Sequence, residues 1–403
     1  MDSVVTAAGA GRGSGVRRTA RAWWIDWRGS IVLALMCGAV FALLAEAAAL
    51  LFAGGPGAFL DVVHHPEHAL TVWDRYDTVW YLNIARDGYA AHTHDPSEAA
   101  AFADATAFPP LFPLTIRVTA GLLRIPLLPA ALLISFVSLV PALAVFHRLA
   151  VHDGGERSAR RAFVLLLTAP AAFFLLAPYG AGLLLLLVAG ALLAARGGRW
   201  MLAGVLAALC LLCKVYEGVV ALALMVEYME QRGWTWRSVV RGALRTLAPC
   251  AVALAGWSLY LAATLGDPLR FLHAQAMWDR TLSPPWVAFT WGVQQVTRAW
   301  GVDAIALVRL LEVCSLVLLL LLSVHALRRR RRSDAALLGL TFLSVALTGR
   351  TDATHRFLVA TPPVFTSLAQ VLRRRAVLAG VALASVLLGL FLLGRFVTGA
   401  WAG

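Results

Sequence analysis

Charge is scarce in this 403-residue chain: only 14% of its residues are Asp, Glu, Lys or Arg, and just 22 of them are acidic. So little charge cannot clothe a soluble domain of this size. With 60% hydrophobic residues and a mean hydropathy of +0.75, the composition predicts a polytopic membrane protein. Cysteine is also sparse. Cys37, Cys210, Cys213, Cys250 and Cys314 all fall inside apolar runs, which excludes a disulfide framework. Cys210 and Cys213 have the spacing of a redox or metal pair, but within an apolar run they read as packing residues. The sequence also shows no soluble domain, no tandem repeat, and no small-residue cleavage site after its basic N-terminal stretch.

What is present is a succession of apolar runs, such as residues 31–53 and 376–397. Each is long enough to cross a hydrocarbon core of about 30 Å, which needs roughly 20 helical residues. Helices are the expected form, because lipid offers no water to backbone groups. In a soluble protein the net charge of +13 would suggest nucleic acid, but here the arginines sit in short tracts between apolar runs and act as topology signals. Residues 1–29, with Arg12, Arg17, Arg18, Arg21 and Arg28, read as a retained basic cytoplasmic tail, anchored by the interfacial Trp23, Trp24 and Trp27. Residues 30–403 form the transmembrane domain.

From a cytoplasmic N-terminus, the first span delivers residues 55–126 outside, a segment rich in Asp and Glu. Arg148, Arg157, Arg160 and Arg161 return the chain to the cytoplasm, so a single crossing, 127–146, separates them, and 108–123 lies as a helix on the outer surface. Further spans are expected at 163–177, 180–195, 247–264, 304–326, 335–348, 357–371 and 376–397, with a short pair at 200–213 and 215–229 around Lys214 that is either a tilted hairpin or partly re-entrant, and a second outer segment at 265–302. This all-α arrangement has about eleven crossings and every dense basic cluster on one side. It places Asp77, Lys214, the stretch from Gln275 to Arg280, and Arg350 to Arg356 on the opposite, outer face.

The stretch Arg75-Tyr76-Asp77-Thr78-Val79-Trp80-Tyr81-Leu82-Asn83-Ile84-Ala85-Arg86-Asp87-Gly88-Tyr89 sets carboxylates among aromatics at that face. Asp77, Trp80, Tyr81, Ile84, Ala85 and Gly88 share one side of a short amphipathic helix. Two roles are open to Asp74 or Asp77: capping the free amides of the first turn, or acting as a general base.

The same stretch resembles the R-W-D-x-x-W-Y-L-x-I-A-x-x-G-Y signature of the PIG-V family, the GPI mannosyltransferase 2 group and its bacterial relatives, with Tyr76 at the family's Trp. Ala107-Phe108-Pro109-Pro110-Leu111-Phe112-Pro113-Leu114 is similar to A-F-F-P-L-Y-P-L. Pro170-Ala171-Ala172-Phe173-Phe174-Leu175-Leu176-Ala177-Pro178-Tyr179 is similar to P-x-x-F-F-x-x-A-x-Y. Gln275-Ala276-Met277-Trp278-Asp279-Arg280 resembles Q-x-x-W-x-R, and Arg356-Phe357-Leu358 resembles R-Y-L. Two departures stand out: Gly180-Ala181 replaces a Ser or Thr and a Glu, and Lys214-Val215-Tyr216-Glu217-Gly218 replaces an R-x-x-G element.

The resemblance implies a GT-C membrane glycosyltransferase, with a first outer loop that bears juxtamembrane helices. Such an enzyme takes a sugar from a polyprenyl phosphate at the outer membrane face, here most simply mannose, with a lipid or glycan acceptor. Aligned on the signature, Asp77 is the catalytic carboxylate and Asp74 its alternative. Arg356, His355, Arg350, Lys214 and Arg280 are candidates for holding the donor phosphate, while Trp80, Tyr81, Tyr179, Gln275 and Trp278 are candidates for binding substrate. No cofactor is required by this chemistry. His64, His65, His68, His92 and His94, with Asp61 and Asp95, have donors for a divalent cation, but their spacing matches no closed metal site and they read as a solvated loop. The competing classes are a transporter or flippase of lipid-linked sugars, for which Glu46, Glu217, Arg309 and Glu312 would supply charge within the spans, and a non-catalytic relative. The expected location is the plasma membrane.

Overall fold

The computed structural model describes residues 28–47 apart from 30 and 33, residues 70–92, and residues 104–403. The tail arginines before Arg28, the three tryptophans before it, and His64, His65, His68, His94, Asp61 and Asp95 lie outside the described residues. Among those described, the chain is all-α, without a strand. Four of the described helices are long and apolar enough to cross a membrane: α4 (Leu127–Leu167), α9 (Ala248–Leu265), α12 (Ile305–Arg328) and α16 (Arg375–Val397). Shorter apolar helices accompany them, namely α1 (Ala34–Ala47), α3 (Leu111–Leu123), α5 (Ala181–Arg196) and α6 (Trp200–Cys213). The chain is a membrane protein.

The remaining helices are α2 (Asp77–Asp87), α7 (Val219–Arg232), α8 (Trp236–Thr246), α10 (Arg270–Met277), α11 (Pro285–Ala299), α13 (Arg332–Ala346), α14 (Thr354–Val359) and α15 (Pro362–Val371). Two expected spans differ from what is observed. The crossing expected at 163–177 instead belongs to the second leg of α4, which turns at Gly155 (φ 73°, ψ 171°), a conformation only glycine adopts freely, and ends at Leu167. Pro170, three residues on, has no N–H with which to continue the ladder. Likewise 357–371 is split into α14 and α15, because the prolines at 362 and 363 push Thr361 out of the helical region (φ −108°, ψ 88°).

The core is a bundle in which α5 packs between α4 and α6, α12 packs on α13 and α11, and α15 packs on α4. Small residues let these helices approach closely, as is usual where lipid gives no hydrophobic drive to association. At Gly204 of α6, an added Cβ would lie 1.9 Å from the carbonyl oxygen of Arg245.

Two clusters of paired charge among the described residues bracket helices α5 and α13. At one end the side chain of Arg196, 9% exposed, meets Asp153 (3.3 Å), Asp334 (2.8 Å) and Glu227, and Arg331 meets Asp153 (2.5 Å) and Asp334 (2.6 Å). Buried charges persist when paired in this way. Helix α5 leads from this layer back to Ala181, and α13 leads from Asp334 to Ala346, so each joins it to the opposite end, which holds the candidate site.

Candidate active site

Entry into α2 is under strain. Tyr76 has φ 49° and ψ −116°, a region costly for a residue with a Cβ, roughly 1–3 kcal/mol. The surrounding contacts fix it there. Its hydroxyl donates to the Gly399 carbonyl (2.5 Å), and its ring meets Trp401 edge-on at 5.7 Å. Arg75 reaches the Val397 carbonyl (3.4 Å), and the Tyr179 hydroxyl donates to the Arg75 carbonyl (3.1 Å). At its other end α2 is held by Arg117 of α3, which donates to the carbonyls of Ala85 (2.6 Å) and Arg86 (2.8 Å). A cation at a helix C-terminus complements the dipole.

Among the described residues no side chain caps α2. Of the two roles open to the aspartates, capping is therefore not the one adopted: Asp77 occupies the first turn and turns its Oδ2 to Arg356 Nη1 at 2.9 Å. Arg356 is in turn clasped by aromatic faces, its guanidinium 5.3 Å from the Phe174 ring centre and 5.1 Å from that of Tyr179. Asp74 lies apart, one carboxylate oxygen buried without a partner, and burial raises its pKa against the opposing pull of Arg75.

Asp77 and Arg356 open onto a cavity of about 230 Å³ that Lys214, Arg280, Arg350 and Asp352 also line. Four cations against two carboxylates give it a net positive wall. Among the described residues Lys214 and Arg280 have no ion-pair partner, and the Arg280 side chain bonds Gln275 Oε1 (3.2 Å). Partial burial depresses the pKa of both. Two donors on lining residues, Arg356 Nε and Trp278 Nε1, are buried without acceptors among the described residues. Such unpaired donors are rare enough to point to a polar ligand.

The aromatic side of the cavity is built by stacking. Trp80 lies flat on Phe108 (5.8 Å, 11°), Trp278 meets both edge-on, and Tyr81 packs on Phe108 at 5.2 Å. A salt bridge between Arg270 of α10 and the fully buried Asp104 (2.7 Å) joins the first outer segment to the second. The same helix contributes Phe271, Leu272 and Gln275 to the lining of the cavity.

Asp77, Arg356, Lys214, Arg280, Arg350, Tyr81, Gln275 and Trp278 thus share one cavity. The other candidates stand elsewhere. Trp80 backs the aromatic wall, and Tyr179 supports Arg356 from behind. His355 turns away, its Nε2 donating to the Ala402 carbonyl (2.8 Å), and burial pushes its pKa down to about 4, so it carries no charge to offer a phosphate. Glu217 is buried in the turn before α7 and does not line the cavity. Ala181 borders a small crevice with Lys214 and Arg356.

Sequence reasoning missed Tyr216 and Asp352. Asp352 binds Arg350 (2.6 Å) and Arg309, which also pairs with Glu312 (3.0 Å). Its alternation with Arg350 at a helix end was the available signal. Lys214 carried a second one: it is the only lysine in the chain.

No protein-family model matches the chain, and no curated protein sequence matches it. Among solved structures it is similar to ArnT from Cupriavidus metallidurans bound to undecaprenyl phosphate, with a TM-score of 0.48 and 18% identity over 88% of this chain and 60% of that one. It is also similar to the Archaeoglobus fulgidus oligosaccharyltransferase in the apo form, with a TM-score of 0.45 and 14% identity over 92% of this chain and 56% of that one. The archaeal oligosaccharyltransferase AglB from Archaeoglobus fulgidus, in complex with an inhibitory peptide and a dolichol-phosphate, gives a TM-score of 0.44 and 13% identity over 92% of this chain and 56% of that one. The chain spans less than two thirds of the length of each.

Proposed function

We propose that this chain is an integral membrane glycosyltransferase of GT-C type, transferring a sugar from a polyprenyl phosphate to a lipid or glycan hydroxyl at the outer face of the plasma membrane. The observation that carries this reading is one cavity in which the Asp77 carboxylate faces four cations. Transfer needs both. The acceptor oxygen attacks the anomeric carbon and its proton passes to Asp77, while the carbon–oxygen bond to phosphate breaks and the phosphate keeps the electron pair. Arg356, Lys214, Arg280 and Arg350 supply the charge that a leaving phosphate requires. A single displacement inverts the anomeric centre.

Size also favours a head group. The cavity falls below the roughly 300–1,000 Å³ of pockets that engulf whole drug-sized ligands, which suits a sugar phosphate whose tail stays in lipid. A transporter is less well supported, because Arg309 and Glu312 are spent on each other, on Asp352 and on the Ala353 amide (2.9 Å). Within the enzyme class, the signature around Asp77 favours mannose as the sugar. The test is incubation of the purified protein with labelled polyprenyl phosphate mannose and candidate lipid acceptors, with and without a divalent cation. Labelled product that disappears with Asp77→Asn supports the proposal; undiminished transfer by that variant removes Asp77 from it.

A further inference from the structure

At the end of the bundle away from the candidate active site, seven arginines from three separate segments converge on one open cleft of about 690 Å³. Arg157 and Arg161 come from the second leg of α4, Arg328, Arg329, Arg330 and Arg331 from the turn between α12 and α13, and Arg373 from the end of α15. The one carboxylate in the cleft, Asp153, is already engaged by Arg196 and Arg331. Arg157, Arg161, Arg328, Arg329, Arg330 and Arg373 have no carboxylate partner among the described residues, and Arg373 bonds only the Gln370 carbonyl (2.9 Å).

A side-of-membrane signal requires positive charge, not a concave wall of it. Arg237, Arg241 and Arg245 on α8 meet that requirement while exposed and outside the cleft. Here the arrangement is costly in the absence of a ligand. Arg157 and Arg161 sit four apart on one helix face, where like charges repel. The arginine turn is closed tightly by hydrogen bonds from Arg330 N to Leu327 O (2.9 Å) and Arg331 N to Ala326 O (2.9 Å), with Arg330 at φ 59°. Clefts lined by one sign of charge focus the field and concentrate counter-ions. Guanidinium forks match phosphate oxygens two at a time.

We infer that this cleft binds a phosphate-bearing anion, which in a membrane is the head group of an anionic lipid. Three segments meet there, so an occupant would clamp α4, α12 and α15 together at the end remote from the cavity.

The experiment uses the full chain in neutral detergent and two probes, cardiolipin and pyrophosphate, read by thermal shift and by native mass spectrometry. Arg157→Gln/Arg161→Gln/Arg329→Gln is compared with Arg237→Gln/Arg241→Gln/Arg245→Gln, which removes equal charge elsewhere. The first set should weaken binding about a hundredfold if each arginine contributes as juxtamembrane basic residues do; the second should change it by less than about threefold. Cardiolipin binding with this dependence identifies a lipid head group, and pyrophosphate binding with it identifies a soluble phosphate compound; either supports the cleft. Equal weakening by both sets, or binding of neither probe, overturns it. Should the first set fold poorly, Arg157→Lys/Arg161→Lys keeps the charge and removes the forks, and unaltered affinity in that variant would also count against the site.

Discussion

Replacing Asp77 by Asn tests the site at its centre. The substitution keeps shape and one neutral acceptor but removes the charge opposite Arg356, whose side chain is only 10% exposed against 18% for Asp77. A hydrogen bond to a charged group contributes roughly 1.5–3 kcal/mol, and Asn retains part of it, so a stability loss of about 1–2 kcal/mol is expected. The loss is limited because Arg356 keeps the faces of Phe174 and Tyr179, and such contacts hold a cation by roughly 0.5–2 kcal/mol. The catalytic loss should be far larger: a positioned base contributes about 10²–10⁴ in rate, or roughly 3–5 kcal/mol of barrier. The assay is initial-rate sugar transfer in proteoliposomes, well below the melting temperature of both proteins. Pairing Asp77→Asn with Arg356→Gln should give a double variant hardly worse than either single one, since the two act as a unit. A folded Asp77→Asn protein that keeps more than about a tenth of the wild-type rate would refute the assignment of the base.

Other consequences are open to measurement. The raised carboxyl of Asp74 means that the folded state holds this proton more tightly than the unfolded state, so stability falls as pH climbs from the usual Asp range towards the raised value. Asp74→Asn should therefore be more stable than wild type near pH 7 and lose that advantage towards roughly pH 4, as followed by thermal unfolding. Arg280→Gln removes a cation that has no ion-pair partner in the cavity, and should raise the donor KM about tenfold while leaving the melting temperature unchanged or slightly higher; an unchanged KM would exclude Arg280 from donor binding. Gly204→Ala sets a methyl 1.9 Å from the Arg245 carbonyl and should cost about 1–3 kcal/mol in unfolding, with activity per folded molecule preserved.

The membrane character and the all-α fold were legible because they depend on composition and on the length of apolar runs, which are properties of local sequence. Asp77 and Arg356 were legible only through motif resemblance; nothing in periodicity links residues 279 positions apart. The partners that finish the site were hidden for the same reason. Asp104 with Arg270, and Arg350 with Asp279 and Asp352, come together through the packing of helices that no local pattern specifies. Span boundaries drifted where hydropathy outruns geometry: Ala169 to Ala177 is apolar enough to continue a helix, yet Pro170 stops it. His355 misled because its neighbour Arg356 enters the cavity while it turns to the backbone of Ala402.

The pinning of α2 has a consequence for how the protein is made. Tyr76 is held at the Gly399 carbonyl, 323 residues later. At translation rates of about 5–20 residues per second, the later partner emerges roughly 15–65 s after the earlier one. Until then the strained turn ahead of Asp77 lacks its clasp, and Arg356 has not entered the membrane for most of that time. A nascent chain that has made α2 but not yet residue 356 therefore has the carboxylate without its cation, and the turn ahead of Asp77 gains its clasp only after α16 has been made.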